Sequence, residues 1–226
     1  MNKMISIEGN IGSGKSTLID KLKQQLNDIS FIDEPVSEWK QIKDKKGDDI
    51  LSKFYNDQEK YAFPFQMMAY ISRLAMVKKS IKENKQHMIS ERSLYTDKYV
   101  FAKMLYDDNK LGECEYQIYN KWFETFSEIS ELTHIIYINT SPSTCFKRVN
   151  LRAREGEDKI SFEYLSNCND YHNEMIKHFI NNNISVIELD GEENVFDDNT
   201  ITNWVNKIKA FISNTNNDVH EISINI

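Results

Sequence analysis

The chain has 226 residues and a formal net charge of −7, and 40% of its residues are hydrophobic. This length allows one substantial hydrophobic core. The acidic balance argues against a general nucleic-acid-binding protein, which would carry a basic surface, and no apolar run in the sequence approaches the ~20 residues of a membrane span.

Short apolar runs alternate with stretches of helical periodicity along the chain. The runs predict strands over residues 3–7, 29–34, 87–91, 134–139 and 184–189. Helices are predicted over residues 16–26, 57–83, 94–106, 115–130, 142–153, 162–180 and 200–212. This alternation predicts an α/β fold with a parallel sheet that is covered by helices on both faces. Ligands of such sheets bind beyond the carboxyl ends of the strands.

The sequence shows no linker rich in Pro, Gly or Ser, no repeat and no long charge block. We therefore expect a single domain over residues 1–213, followed by a polar tail over residues 214–226. The end of this tail, residues 221–226, can pair as an edge strand.

The cysteines and the position of the first motif indicate the compartment. Cys114, Cys145 and Cys168 are widely spaced and match neither a disulfide framework nor a metal site. The first motif begins at Gly9 and leaves no room before it for a signal or transit peptide. We therefore expect a cytoplasmic protein that has neither a nucleic acid nor a membrane as partner.

The first predicted strand runs into a glycine-rich loop, "IEGNIGSGKST". Its spacing matches the phosphate-binding pattern G-x-x-x-x-G-K-[ST], in which backbone N–H groups surround the anion. Lys15 can reach the outer phosphates, and the Ser16 hydroxyl can hold Mg²⁺. The residues predicted to bind the triphosphate are Gly9, Asn10, Ile11, Gly12, Ser13, Gly14, Lys15, Ser16 and Thr17.

Two later strands end in residues that can do acid–base or phosphate chemistry. Glu34 follows the second strand in "DEPVSEW", where it can accept a proton from an attacking hydroxyl. Glu91 and Arg92 end the third strand in "SERSLYTDKY", where the carboxylate can hold Mg²⁺ and the guanidinium can bind a phosphate or the hydroxyl. Taken singly, each segment also fits a solvated Glu or a surface Glu–Arg pair.

The helix over residues 57–83 carries polar side chains on an otherwise apolar face. Gln66, Tyr70 and Arg73 are spaced to share that face. The amide of a buried Gln can both donate and accept, as the edge of a nucleobase requires. A buried Arg needs a counter-charge, and Asp97 is a candidate. The alternative is a Gln bonded to backbone and an Arg that extends to water.

A cluster of basic residues lies in "KRVNLRAREGED". Arg148 and Arg152 share a helix face, and Arg154 stands where the helix ends in a loop that contains Gly156. Mobile arginines of this kind can close over a phosphoryl group during its transfer. The alternative, a solvated basic face, fits less well in a chain that is acidic overall.

Together, "IEGNIGSGKST", "EPVSEW", "FPFQ", "ERSLYTDKYVFA" and "LRAREGED…FEYL" resemble the motifs of the deoxynucleoside kinase family, in order and spacing over about residues 3–196. The resemblance implies a P-loop kinase fold with a five-stranded parallel sheet, helices on both faces and an arginine lid, usually as a homodimer. It also implies transfer of a phosphoryl group from ATP to a deoxynucleoside 5′-hydroxyl in the presence of Mg²⁺.

The same resemblance implies a role for individual residues. Glu34 matches the general base, Arg92 the arginine beside the 5′-hydroxyl, Lys15 the phosphate-loop lysine and Glu91 the carboxylate near Mg²⁺. The remaining matches are Tyr55 and Glu157 to the sugar 3′-hydroxyl, Gln66 and Phe101 to the base, Arg148, Arg152 and Arg154 to the lid, and Phe196 to the donor base. The spacing around Phe196 departs from the family pattern by one residue.

Arg73 and Asp97 indicate the group within the family. Members that resemble deoxycytidine and deoxyguanosine kinases carry this pair, whereas members that accept thymidine carry smaller apolar residues at both places. We therefore expect deoxycytidine, deoxyguanosine or deoxyadenosine as substrate. Two alternatives are a thymidylate-kinase-like monophosphate kinase, whose acceptor phosphate Glu34 would repel, and a non-catalytic structural subunit, which would not need an intact loop and base.

Overall fold

The centre of the molecule is a five-stranded parallel sheet. A computed structural model describes residues 3–83, 85, 87–154, 157–194 and 196–213. The strands are β1 Lys3–Glu8, β2 Ile29–Ile32, β3 His87–Glu91, β4 His134–Asn139 and β5 Ser185–Asp190. All neighbours are parallel, in the order β2-β3-β1-β4-β5. The predicted α/β fold with a parallel sheet is confirmed.

Helices connect successive strands, and a last helix follows β5. In chain order they are α1 Lys15–Lys23, α2 Val36–Trp39, α3 Ile50–Asn56, α4 Gln58–Lys82, α5 Leu94–Thr96, α6 Lys103–Asp107, α7 Glu113–Phe126, α8 Pro142–Arg152, α9 Phe162–Asn181 and α10 Asp198–Ser213. A π-helical turn, Asp97–Ala102, joins α5 to α6. Within the described ranges no helix is both long and apolar enough to cross a bilayer.

Both faces of the sheet are buried, as the apolar strand sequences predict. Ile5 and Ile7 of β1 pack into a core that α1 and α10 complete. Met4, whose side chain alternates with theirs, packs on the opposite side with residues of α4 and α9. The predicted helical layers on the two faces are therefore confirmed.

A second apolar cluster extends away from the sheet, among α2, α3, α4 and α7. It is rich in aromatic residues, among them Trp39, Phe54, Phe65, Tyr119 and Phe123. The cluster holds the amino-terminal part of α4 beside the carboxyl ends of the strands, where ligands of parallel sheets bind.

The structure corrects several predicted boundaries. β2 ends at Ile32, because its pairing with β3 stops there, so Asp33 and Glu34 lie beyond the strand. The short helices α2 and α3 were not predicted. The helix predicted over residues 94–106 is divided by the π-helical turn. The predicted tail and its edge strand, residues 214–226, lie outside the described residues.

Candidate active site

A cavity of about 520 Å³ opens beside the loops that follow β1, β2 and β3. Most of the residues predicted for the site line it: Ile11, Gly12, Gly14, Lys15, Ser16, Thr17, Glu34, Tyr55, Gln66, Glu91, Arg92, Asp97, Phe101, Arg148, Arg152, Arg154, Glu157 and Phe196. Four predicted residues do not line the cavity: Gly9, Asn10, Ser13 and Arg73. Gly9, Asn10 and Arg73 form hydrogen bonds with residues that do, and Ser13 bonds to Asn10 within the loop.

The glycine-rich loop lies between β1 and α1. Gly12 has a φ of +86°, and a Cβ at that position would lie 2.8 Å from the carbonyl oxygen of Cys145 in α8. Gly14 has a φ of 103° and precedes the first turn of α1. A side chain at either position would be strained, which explains the two glycines. The turn that they form directs the positive end of the α1 dipole toward the cavity.

Lys15 is folded against its own loop. Its Nζ donates to the carbonyl oxygens of Asn10, at 2.8 Å, and Gly9, at 3.1 Å. Burial and the nearby Arg92 lower the pKa of Lys15 to about 8. An anion bound in the loop would favour the charged ammonium form and give it a stronger acceptor than the two carbonyls.

Ser16 in the first turn of α1 and Glu91 at the end of β3 bring two oxygen-bearing side chains together. The Ser16 hydroxyl donates to Glu91 Oε1 at 2.8 Å, and burial together with Glu34 raises the pKa of Glu91. In the described part of the chain no group of three or more His, Cys, Asp or Glu forms a complete metal cage. Because Mg²⁺ prefers oxygen ligands and usually shares them with phosphates and water, these two residues fit it.

Glu34 lies between two arginines. Its Oε1 is 3.2 Å from Arg92 Nε and 3.4 Å from Arg73 Nη2. Burial alone would raise the pKa of Glu34, but the charges of Arg92, Arg73 and Lys15 outweigh this effect and lower it. The carboxylate is therefore ionised at neutral pH, while its side chain keeps 23% of its surface exposed.

The backbone of Arg92 is in the left-handed region, with a φ of 62°. Such a conformation is unfavourable for a residue other than glycine and persists only when other contacts enforce it. The Arg92 amide donates to the carbonyl of Ile7, and Nη1 lies 3.0 Å from both the Gly9 carbonyl oxygen and His172 Nε2. Its guanidinium also covers the ring of Phe101, 4.9 Å from the ring centroid.

The predicted ion pair between Arg73 and Asp97 is present. Arg73 is 1% exposed, and its Nε donates to Asp97 Oδ2 at 2.9 Å. A further bond runs from Arg73 Nη1 to the carbonyl oxygen of Glu91, at 2.6 Å. The alternative, an arginine extended to water, is therefore wrong.

The part of the cavity beside α4 is lined by one amide side chain and by aromatic rings. Gln66 is 2% exposed, and its Oε1 has no hydrogen-bond partner among the described residues. Phe65 stacks on Phe54 and meets Trp39 edge to face, with centroid distances of 4.6 and 5.3 Å. Sequence reasoning gave these three rings no role, although Trp39 belongs to the motif "EPVSEW" and Phe65 to the motif "FPFQ".

One of the predicted lid residues, Arg152, contacts the predicted sugar-binding residue Glu157. Arg152 binds Glu157 with two bonds, of 2.7 Å from Nε and 2.6 Å from Nη2. Burial and Glu157 raise the pKa of the neighbouring Tyr55. Arg148 instead donates to the carbonyl of Glu193 at 3.1 Å. Arg152 and Arg148 are thus held by protein groups at the edge of the cavity.

Two further lid and donor-site predictions fall on exposed side chains. Arg154 follows the end of α8 and is exposed. Phe196 is 78% exposed and lies at the cavity margin. Both side chains are accessible to a nucleotide from outside.

Comparison with known proteins identifies the family of this chain. Residues 5–213 match the family model described as deoxynucleoside kinase. A probable deoxycytidine kinase of fowlpox virus is 36% identical over 94% of this chain and 89% of its own length. Human deoxycytidine kinase is 34% identical (93% of this chain, 91% of its own length), and the mitochondrial deoxyguanosine kinase of Xenopus laevis is 31% identical (93% and 90%). The chain belongs to the deoxynucleoside kinase family.

Proposed function

We propose that this protein transfers the γ-phosphoryl group of ATP to the 5′-hydroxyl of a deoxynucleoside, which yields ADP and a deoxynucleoside 5′-monophosphate. The observation that carries the proposal is the position of Glu34. This ionised carboxylate faces the cavity and contacts Arg92, which in turn contacts the phosphate-loop residue Gly9. A base beside a phosphate loop suits the activation of a hydroxyl for attack on a phosphate.

In this proposal Glu34 accepts the proton of the 5′-hydroxyl as the hydroxyl oxygen attacks the γ-phosphorus and the bond to the ADP oxygen breaks. The transition state is loose, so the protein acts by positioning and by neutralising charge. Lys15 and the lid arginines Arg148, Arg152 and Arg154 lie where they can neutralise charge on the phosphates. Ser16 and Glu91 would hold Mg²⁺, which neutralises further charge on the phosphate oxygens.

We infer that the base lies against Gln66. Its Oε1 lacks a partner among the described residues and can accept a hydrogen bond from an exocyclic amino group. Arg73 and Asp97 add polar groups beside it, which favours deoxycytidine, deoxyguanosine or deoxyadenosine over thymidine. Tyr55 and Glu157 are the proposed partners of the sugar 3′-hydroxyl.

We further propose a homodimer formed through the α4–α7 apolar face, defined as Ile71 of α4 with Ile118 and Trp122 of α7. These side chains are 50%, 47% and 46% exposed. Tyr70 of α4 donates to the backbone carbonyl of Trp122, which joins the two helices into one surface. A twofold axis would place this face against its own copy.

Cys114, Cys145 and Cys168 are free thiols, which supports a reducing compartment such as the cytoplasm.

The test is transfer of labelled phosphate from ATP in the presence of Mg²⁺ to each of the four deoxynucleosides and to a deoxynucleoside monophosphate. We expect labelled 5′-monophosphates from the non-thymidine substrates. Glu34→Gln should lower kcat by about 10²–10⁴ while nucleoside binding is retained. Labelled diphosphate from the monophosphate acceptor alone would indicate the monophosphate-kinase alternative, and no transfer to any acceptor would indicate a non-catalytic protein.

A further inference from the structure

His172 is a buried titratable residue that sequence reasoning did not identify. It lies on α9 with 0% of its surface exposed. Nδ1 is 2.6 Å from the carbonyl oxygen of Cys168, one turn earlier in the helix, and Nε2 is 3.0 Å from Arg92 Nη1. The ring also meets Phe101 edge to face at 6.3 Å. It therefore contacts both Arg92 and the aromatic ring that Arg92 covers.

The two hydrogen-bond partners of His172 fix the position of its proton. A guanidinium N–H can only donate, so Nε2 of His172 must accept. The Cys168 carbonyl can only accept, so Nδ1 must carry the hydrogen. Burial and the charges of Arg92 and Lys15 hold the pKa of His172 well below its usual value, against a smaller opposing effect of the Cys168 carbonyl. The imidazole is therefore neutral in a single tautomer.

We propose that His172 is the positioning residue of Arg92, whose guanidinium it holds between Glu34 and the phosphate loop during phosphoryl transfer. The inference rests on the proposed function, in which Arg92 acts beside the attacking hydroxyl. Arg92 needs such support because its backbone is strained. His172 contributes a contact from α9, an element 80 residues further along the chain.

The chemistry of the acceptor matters as much as its position. A carboxylate at this place would form an ion pair with Arg92 and compete with Glu34 for its charge. A neutral imidazole nitrogen accepts the hydrogen bond but leaves the full positive charge of the guanidinium available. Arg92 can therefore lower the pKa of Glu34 and still interact with the reacting groups.

Two amide variants of different length test this role. Gln at position 172 can place its carbonyl oxygen near the position of Nε2, whereas the shorter Asn can reach only the position of Nδ1. We expect His172→Asn to lower kcat about 10- to 100-fold, as for displaced catalytic geometry, with little change in the KM for the nucleoside. His172→Gln should restore most of kcat. His178→Leu, which removes an exposed histidine from the same helix, is the matched control and should keep the wild-type kcat.

A double-mutant cycle with Arg92→Ala separates positioning from a general structural role. If His172 acts through Arg92, His172→Asn should lower kcat in the wild type but cause no further loss in the Arg92→Ala background. Thermal unfolding of all four proteins tests whether each is folded. Equal losses of kcat in both backgrounds, or a Gln variant as slow as the Asn variant, would overturn the role of His172. An Arg92→Ala variant with wild-type kcat would instead overturn the proposed role of Arg92 itself, and the role of His172 with it.

Discussion

The buried guanidinium of Arg73 lies between the proposed base pocket and the proposed general base, Glu34. It pairs with Asp97 at 2.9 Å, donates to the carbonyl of Glu91 at 2.6 Å and lies 3.4 Å from Glu34. Burial opposes the charge of Arg73, but Asp97 and Glu34 raise its pKa above the ordinary value. One side chain therefore supports both the wall of the proposed base pocket and the proposed general base.

Replacement of Arg73 should affect stability and specificity together. Arg73→Met leaves Asp97 buried without its cation, which typically costs about 3–5 kcal/mol. The double variant Arg73→Met with Asp97→Ala should recover part of this loss and open apolar space for a thymine methyl group. Guanidinium chloride unfolding and kcat/KM for thymidine and deoxycytidine in all four proteins measure both effects.

We expect the shift toward thymidine in the Arg73/Asp97 double variant to exceed the sum of the single effects. Polar recognition discriminates by up to about 10⁴–10⁵, against about 10² for a methylene group. All variants that lack Arg73 should also turn over more slowly, because Glu34 loses one of its two arginines. Additive effects, or no shift toward thymidine, would show that the pair does not act on the base.

At the scale of elements, the glycine-rich loop owes its shape to positions that exclude a side chain. Gly12→Ala places a Cβ 2.8 Å from a backbone oxygen of α8, in addition to the strain of its positive φ. We expect kcat/KM for ATP to fall about 10- to 100-fold, as for a displaced phosphate site. The matched control is Gly47→Ala, where φ is +94° but, apart from its chain neighbours, no atom of the described residues lies within 4 Å of the new Cβ.

Gly47→Ala should therefore cost only the left-handed strain, about 1–2 kcal/mol, and leave kcat/KM for ATP unchanged. Steady-state kinetics and denaturant unfolding of the two variants separate the contributions. If both variants lose stability equally and neither shows a lower kcat/KM for ATP, the close approach of α8 to Gly12 does not contribute to ATP binding or turnover.

Long elements were predictable because their apolar spacing is regular. The five strands and the long helices α4 and α9 lie within a few residues of their predicted positions. α2 and α3 were missed, since four- and seven-residue helices show too little periodicity to be distinguished from loops. The division of the helix over residues 94–106 was not predicted from local periodicity, and the π-helical turn that divides it contacts α9 and α4, which are distant in the chain.

Within the candidate site, motif residues were predictable and their supporting residues were not. Glu34, Glu91 and Arg92 follow from their position at strand ends. His172 gives no such signal, because histidines are common in amphipathic helices and its partner Arg92 lies 80 residues away. The pairing of Arg152 with Glu157 was also unforeseen, since each residue was assigned to a different ligand.

At the scale of the whole molecule, the α4–α7 apolar face predicts an assembly. Trp122→Glu would place a charge in the centre of the proposed interface and should convert a dimer into a monomer. Ile42→Glu is the control, because Ile42 is 50% exposed but lies outside this face. Light scattering coupled to size-exclusion chromatography gives the mass of each protein. A wild-type monomer, or a dimeric Trp122→Glu variant, would reject this interface.

The pH dependence of stability should depend in part on His134 at the start of β4. Burial, with Lys3 and His87 nearby, lowers the pKa of His134 to about 4. Its ordinary value is about 6.5, so the unfolded chain binds the proton more readily. The stability that neutral His134 contributes is complete above about pH 6.5 and is lost as the pH falls toward 4.

His134→Leu should remove this contribution and retain an apolar contact with Phe211, whose ring lies 5.0 Å from the histidine. We expect the free energy of unfolding to fall less between pH 7 and pH 5 in this variant than in the wild type. Urea unfolding at the two pH values is the measurement, and His178→Leu serves as the exposed control. Equal pH dependence of the His134→Leu variant and the wild type would contradict the assignment.

The place of β1 in the middle of the sheet has a consequence for biosynthesis. In the pairing of β1 with β3, Lys3 lies opposite His87, and in its pairing with β4, Ile5 lies opposite His134. Both partner strands therefore follow β1 by many residues in the chain. During translation β1 must leave the ribosome with both edges unpaired and its isoleucines exposed, and long-range parallel pairing is slow. Newly made chains are therefore open to aggregation until β4 emerges. Substitutions that weaken β4 should lower the yield of folded protein more than the specific activity of the molecules that do fold.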